Sequence, residues 1–90
     1  MPKGRITVLK RMVNHDLIDK YEHETVVPCD IFEDGQQFAV DRWDRLPEGF
    51  CEWAWADIQK KIELAKRLGT VVACCTDCFR PVVFEIERTE

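Results

Sequence analysis

The chain lacks several features that define large classes of proteins. Its 90 residues include no serine, only four glycines and only four prolines. A Ser-His-Asp hydrolase is therefore excluded, and so are collagen-like and low-complexity chains, which are rich in glycine and proline. The longest apolar run covers residues 71–75, far short of the ~20 residues that a membrane-spanning helix needs.

The remaining composition is typical of one globular domain. Hydrophobic residues make up 46% of the chain and charged residues 33%, so we expect a single domain over residues 1–90 with a thin core. The net charge of −4 disfavours nucleic acid and anionic membranes as partners. The N-terminus is basic but has no apolar segment that would make a signal peptide, so a cytoplasmic location is predicted.

The hydrophobic pattern predicts six secondary-structure elements. Alternation and β-branched residues indicate strands, and a three-to-four-residue spacing of apolar residues indicates helices. The predicted strands cover residues 5–12, 36–41, 70–76 and 82–88, and the predicted helices cover residues 16–24 and 51–68, with an extended connection at 25–29. We therefore predict an α+β fold in the order β-α-β-α-β-β. A small, mostly antiparallel four-stranded sheet, ending in a hairpin, is covered by one long helix, and a short helix is added to it.

The long helix has one clear apolar stripe, and Trp53 lies outside it. The residues that share this face at helical spacing are Cys51, Trp55, Ile58, Ile62 and Ala65. The simpler expectation is that Trp53 packs on the preceding loop of its own chain, and the alternative is that another subunit covers it. Because a single helical layer has little room to bury three tryptophans, we also predict a homodimer.

Several short motifs occur together in this chain. They are Leu46-Pro47-Glu48-Gly49-Phe50-Cys51-Glu52-Trp53-Ala54-Trp55, Val72-Ala73-Cys74-Cys75-Thr76-Asp77, Arg80-Pro81-Val82-Val83-Phe84, Pro28-Cys29 and Phe32-Glu33-Asp34-Gly35-Gln36-Gln37-Phe38. In this combination, which covers most of the chain, the sequence resembles a family of short, uncharacterised bacterial and archaeal conserved hypothetical proteins of similar length. The resemblance implies no activity, cofactor or partner, because none is attached to that family. The family has glycine at the position of Cys78, so a role that requires Cys78 would belong to this chain and not to the family.

The chain has five cysteines. An odd number does not fit a pure disulfide framework, and in a reducing cytoplasm such residues are buried thiols, metal ligands or redox groups. Cys75 and Cys78 form a C-x-x-C motif, which can place two thiolates on one zinc ion. Cys29 and Cys51 are the candidate second pair, and a helix start at Cys51 would favour its thiolate.

Two alternatives to a metal site stay open. The same C-x-x-C can act as a redox dithiol, although no helix follows it as in thioredoxin-like motifs. The simplest interpretation is structural: Cys74 and Cys75 alternate across a strand, so one fills the core as a small apolar residue and the other faces the opposite side. Because a single C-x-x-C does not define four ligands, we expect no cofactor, with zinc as the alternative.

Arg80 lies in the predicted hairpin loop close to Asp77. An Asp77–Arg80 pair that braces the loop is the simpler interpretation, since aspartate is common at the first position of turns. Alternatively, Arg80 binds an anionic or carboxylate group of a small ligand. A pocket at Arg80 lined by Trp53 or Trp55 would favour the second interpretation, so these three residues are the candidate ligand-binding residues.

These observations favour a small non-enzymatic binding or assembly module. No nucleophile is recognisably paired with a base, so no catalytic residues are predicted. A thiol-based zinc or redox protein is the first alternative, and a small-molecule enzyme with a pocket near Arg80 is the second. The sequence identifies neither the ligand nor a partner protein.

Overall fold

The computed structural model describes residues 3–21, 31–75 and 77–89, and in these ranges the chain has the predicted α+β fold. In chain order the elements are β1 (Gly4–Arg11), α1 (His15–Lys20), β2 (Gln37–Val40), α2 (Glu52–Leu68), β3 (Thr70–Cys74) and β4 (Val82–Arg88). β4 has the predicted bounds, and the starts of β1, α1, β2 and α2 each differ from prediction by one residue. The end of the predicted short helix, at 22–24, and the predicted connection at 25–29 lie outside the described residues.

The four strands form one antiparallel sheet in the order β2-β1-β4-β3. β3 and β4 form the predicted hairpin, in which Ala73 is opposite Phe84. The register between β1 and β4 shifts between Val8 and Lys10, so Leu9 is an extra residue that bulges from the ladder. Within the described part of the chain, β2 and β3 are therefore the edge strands.

The core lies on one face of this sheet. Strand residues alternate between buried and exposed, and Ile6 and Ile86, which are opposite each other on the central strands, have no exposed surface. α2 packs on β3 and β4, because its apolar stripe is continuous along the helix. The residues of α2 that this packing buries are Ala54, Ile58, Ile62 and Ala65.

Aromatic rings fill the rest of the core. Four phenylalanines contact one another with ring centroids 5.0 to 5.8 Å apart, mostly edge to face; they are Phe32, Phe38, Phe50 and Phe84. Trp43 is 2% exposed and lies over Gly4, where a side chain would overlap with the indole ring. The loop between β2 and α2 therefore contributes aromatic core residues as well as a connection.

The end of α2 has a local cause, whereas its N-cap side chain makes no capping hydrogen bond. Cys51 is the N-cap residue, with an extended backbone, and Gly69 follows the helix at φ 94°, a conformation that glycine adopts without strain. Lys66 and Arg67 lie in the last turn, where positive charge interacts favourably with the helix dipole.

Neither helix of the described residues is long and apolar enough to cross a membrane.

Candidate functional site

A hollow of about 300 Å³ lies between the start of α2 and the loop that joins β3 to β4. Its lining residues come from three segments that are far apart in the sequence: Ile31 and Phe32; Cys51, Trp53, Ala54 and Asp57; and Cys75, Asp77, Arg80 and Val82. Such a hollow exists only in the folded chain. Its volume is at the lower end of the range of small-molecule binding sites.

The floor of the hollow is apolar and fixed by the core. Phe32, Ala54 and Val82 are each at most 1% exposed. The backbone carbonyl of Phe32 accepts a hydrogen bond of 3.0 Å from Arg11, whose Nε also pairs with Asp34 at 3.0 Å. This contact holds the segment before β2 against the end of β1, so the position of the Phe32 ring does not depend on a ligand.

Trp53 forms the most exposed wall of the hollow. Its side chain is 80% exposed, so the expectation that it packs within its own chain is wrong. It is the second residue of α2, off the buried stripe, and no described segment covers it. Trp55, the other candidate tryptophan, does not line the hollow; it is half-buried and contacts the Phe50 ring edge to face at 6.1 Å.

The predicted brace between Asp77 and Arg80 is confirmed. The Asp77 Oδ1 accepts hydrogen bonds of 3.1 Å from the backbone N–H groups of Phe79 and Arg80, and its Oδ2 lies 3.6 Å from the Arg80 Nε. These contacts fix the loop in an Asx-type turn. The Arg80 Nε is buried without a hydrogen-bond partner, and the same side chain lines the hollow together with Trp53. The structure therefore also has a pocket at Arg80 that is lined by Trp53, the feature that favours ligand binding by Arg80.

The cysteines are distributed over two cavities. Cys51 and Cys75 are half-buried and line the hollow, and the Cys75 Sγ accepts a hydrogen bond of 3.3 Å from the backbone N–H of Val82. Cys74 is exposed, whereas Cys75 packs against the core without being fully buried in it, so the two differ in burial but neither fills the core. Cys78 is also exposed and lines a different cavity from Cys51.

The predicted zinc ligands are brought together only in part. Cys51 and Cys75 share the hollow, whereas Cys29 lies outside the described residues. Within 3–21, 31–75 and 77–89, no group of three His, Cys, Asp or Glu residues is placed to hold a metal ion. Zinc binding by Cys29, Cys51, Cys75 and Cys78 stays the alternative to the expected protein without a cofactor.

A second cavity, which we call the edge groove, follows the outer edge of β3. Its volume is about 580 Å³, and it is lined by Asp57, Lys60 and Lys61 of α2 and by Val72, Ala73, Cys74, Cys75, Cys78 and Val83 of the hairpin. Asp57 lines both cavities and was not a candidate from the sequence. The sequence spacing could have identified it: Asp57 follows Trp53 by four residues, which places both side chains on the same side of the helix.

No protein-family model, curated protein or solved structure matches this chain. The resemblance to short conserved hypothetical proteins therefore stays a prediction.

Proposed function

We propose that this protein is a small non-enzymatic binding module whose ligand occupies the hollow beside Trp53 and Arg80. The observation that carries the proposal is an exposed tryptophan and an arginine on the wall of one apolar hollow. A tryptophan side chain that is 80% exposed leaves a large apolar surface in water, and a ligand that covers it gains hydrophobic and stacking free energy. The buried floor beneath is already formed, so little ordering free energy opposes binding.

The lining defines the chemical class of this ligand. Phe32, Ala54 and Val82 favour an apolar body, and the indole of Trp53 favours a flat one. Arg80 can donate to one carboxylate or sulfonate. Asp57 and Asp77 line the same hollow and disfavour a ligand with several negative charges, such as a nucleotide. We therefore propose a small, flat, largely apolar molecule with one anionic group.

A pair of fluorescent probes tests this proposal. 8-Anilinonaphthalene-1-sulfonate is flat and apolar and has one sulfonate, whereas N-phenyl-1-naphthylamine has the same ring system without the charge. We expect the natively folded protein to bind the sulfonate probe at one site, and Arg80→Gln to weaken the binding of this probe but not of the neutral one. Trp53→Ala is expected to weaken the binding of both, because it removes the stacking surface.

Two variants serve as controls for the probes. Tyr21→Ala removes another exposed aromatic side chain, and Trp55→Phe changes a tryptophan that does not line the hollow. Both are expected to bind the two probes as the wild type does. Equal binding of the sulfonate probe by wild type, Trp53→Ala and Arg80→Gln, all shown to be folded by circular dichroism, would contradict the proposal.

A thiol-based site is the second candidate, because two cysteines, Cys51 and Cys75, line the same hollow. Two thiols are fewer than the four ligands of a structural zinc site, so Cys29 and Cys78 would have to supply the others. Elemental analysis of the untagged protein tests this candidate. About one zinc per chain, lost in Cys51→Ala and in Cys78→Ala, would support it; a wild-type protein free of metal that binds the probes as above would support the first proposal instead.

The proposal includes a cytoplasmic location. Four described cysteines are free thiols, which is the state that a reducing compartment maintains. We propose no nucleic acid and no membrane as partners, since the net charge is −4 and would repel both polyanionic surfaces.

A further inference from the structure

We propose that two copies of this chain associate through the edges of their β3 strands, forming one continuous eight-stranded sheet with a twofold axis at Val72. This interaction surface is distinct from the ligand site proposed above, and the argument for it does not depend on that site. It begins with the backbone of β3, because the hydrogen-bonding groups on the outer side of an edge strand are available to another chain.

The register of the hairpin shows which groups these are. The N–H of Arg88 donates to the carbonyl of Gly69, and the N–H of Cys75 donates to the carbonyl of Val82, at 2.7 and 3.1 Å. Hydrogen-bonded pairs in an antiparallel ladder alternate, so the odd-numbered residues of β3 face β4. The N–H and C=O groups of Thr70, Val72 and Cys74 therefore point away from β4, toward the edge groove.

Within the described residues, the sequence of β3 itself offers little protection of this edge, and the nearby basic residues, Lys60 and Lys61, belong to α2. Natural edges are blocked by charged side chains, proline, bulges or short length. Residues 70–74 contain no charge and no proline, pair with β4 in an unbroken register, and include Val72, which is 55% exposed. β2, the other edge strand, has only four residues and is followed directly by Asp41. The edge of β3 is therefore the more suitable of the two for strand pairing.

The pattern of outward groups favours a second copy as the occupant. The three outward residues are spaced symmetrically about Val72, so two antiparallel β3 strands can pair Val72 with Val72 and Thr70 with Cys74 of the second copy. The exposed Val72 side chains then lie next to each other and remove apolar surface from water. An isologous contact of this kind closes after two copies and does not propagate.

The charges of α2 are complementary in the same arrangement. α2 packs on β3, so the twofold axis brings the two α2 helices alongside each other in antiparallel directions. The first half of α2, residues 52–59, has two acidic groups and no basic one, whereas residues 60–68 have four basic groups and one acidic group. Antiparallel helices therefore place the acidic half of one copy near the basic half of the other, which favours this pairing over a parallel one. Leu68, at the end of α2 and 70% exposed, adds apolar surface to this region.

Proline substitution gives a matched test of the pairing. Val72→Pro removes an N–H that points outward and leaves the ladder with β4 intact, and proline is tolerated at such edge positions. Ala39→Pro is the control, because the Val8 N–H donates to the carbonyl of Gln36 and the same alternation makes the Ala39 N–H point outward on β2. By light scattering and sedimentation velocity, we expect wild type and Ala39→Pro to be dimers and Val72→Pro to be a monomer at the same concentration.

The other outcomes overturn the proposal. A wild type that stays monomeric at the highest soluble concentration, or a Val72→Pro protein that still forms the dimer, would show that β3 edges do not pair. If Val72→Pro does not fold, oxidation of Val72→Cys decides the question. We expect a disulfide between the two copies of position 72 in peptide mapping, because directly opposite residues lie within disulfide range. We expect no disulfide between the two copies of Cys74 in the wild type, because Cys74 is opposite Thr70 of the second copy in this pairing. A Val72→Cys dimer without a disulfide at position 72 contradicts the proposal.

Discussion

At the scale of the residue, Gly4 lies so close to its neighbours that no side chain fits at this position. A Cβ atom at position 4 would overlap with the six-membered ring of Trp43 and with the backbone carbonyl of Glu87. We expect Gly4→Ala to lower the free energy of unfolding by about 1–3 kcal/mol, as overpacking does. Urea denaturation measures the change.

A double-mutant cycle tests the cause of this loss. Trp43→Leu removes the ring that the new methyl group would meet, so Gly4→Ala is expected to cost less in the Trp43→Leu background than in the wild type. Additive effects of the two substitutions would show that the overlap with the indole does not contribute to the loss, which would then come from the Glu87 carbonyl.

A second prediction at the residue scale concerns Asp44. Two nitrogens of Arg42 donate hydrogen bonds of 3.0 and 2.9 Å to its carboxylate, and these bonds, with the attraction of the guanidinium, lower the pKa of Asp44. A group whose pKa is lower in the folded state adds stability above its unfolded pKa, and this stability is lost as the pH falls through the folded pKa. Both side chains are exposed, and an exposed ion pair adds little to the free energy of unfolding. The test is therefore the pKa of the Asp44 carboxyl itself and not the stability of the whole protein.

We expect an NMR titration to show an Asp44 pKa below the ordinary value for aspartate. Arg42→Gln is expected to raise this pKa toward the ordinary value. Arg45→Gln, which removes a cation with a smaller influence on Asp44, is expected to raise it less. An equal effect of both substitutions would contradict the assignment of the shift to the Arg42 hydrogen bonds.

At the scale of the element, α2 packs on β3 and β4 and buries its apolar stripe there. Ile58 of α2 and Phe84 of β4 have no exposed surface and belong to one core cluster. We expect Ile58→Ala and Phe84→Ala each to lower the free energy of unfolding by about 2–5 kcal/mol. Gln59→Ala, on the exposed side of the same helix, is the control and is expected to change it by less than about 0.5 kcal/mol. A loss below about 1 kcal/mol at both core positions would mean that neither side chain packs as described.

The element scale also shows where sequence patterns are sufficient. β4 alternates between buried and less buried residues from Val82 to Glu87, and its bounds were predicted without error. α2 has a continuous stripe and a glycine directly after its end, so both its identity and its end were predictable. The predicted third strand continues through Cys75, one residue beyond β3, because apolar alternation alone does not show where a strand ends. Its last predicted residue, at position 76, lies outside the described residues.

At the scale of the whole molecule, the described thiols differ in exposure. Cys78 and Cys74 are exposed, whereas Cys51 and Cys75 are half-buried in the hollow. We expect Cys78 to react with iodoacetamide before Cys51 and Cys75, with the sites identified by peptide mass spectrometry. Cys74 is expected to react as fast as Cys78 only in Val72→Pro, since pairing of the β3 edges would cover it in the wild type.

The proposed ligand site leads to a second prediction about the reactivity of the same thiols, because a bound ligand would cover those that line the hollow. A saturating concentration of 8-anilinonaphthalene-1-sulfonate is expected to slow the reaction of Cys51 and Cys75 further and to leave Cys78 unchanged. If Cys51 reacts first, its position at the start of α2 speeds its reaction more than its burial slows it. The order of reaction expected from exposure is then wrong.

The sequence by itself determined the α+β class, the order of the elements and the hairpin, because these depend on hydrophobic periodicity and on turn residues that act locally. It also determined the Asp77–Arg80 brace, since the two residues lie in one turn. Periodicity placed Trp53 off the buried stripe, but whether another segment covers it depends on the path of distant parts of the chain. Only the tertiary structure decided that Trp53 is exposed beside Arg80, that Phe32 and Asp57 complete the hollow, and that Cys51 and Cys78 line different cavities. The physical reason is that these relations join segments far apart in the sequence, and their distances are set by how α2 packs on the sheet.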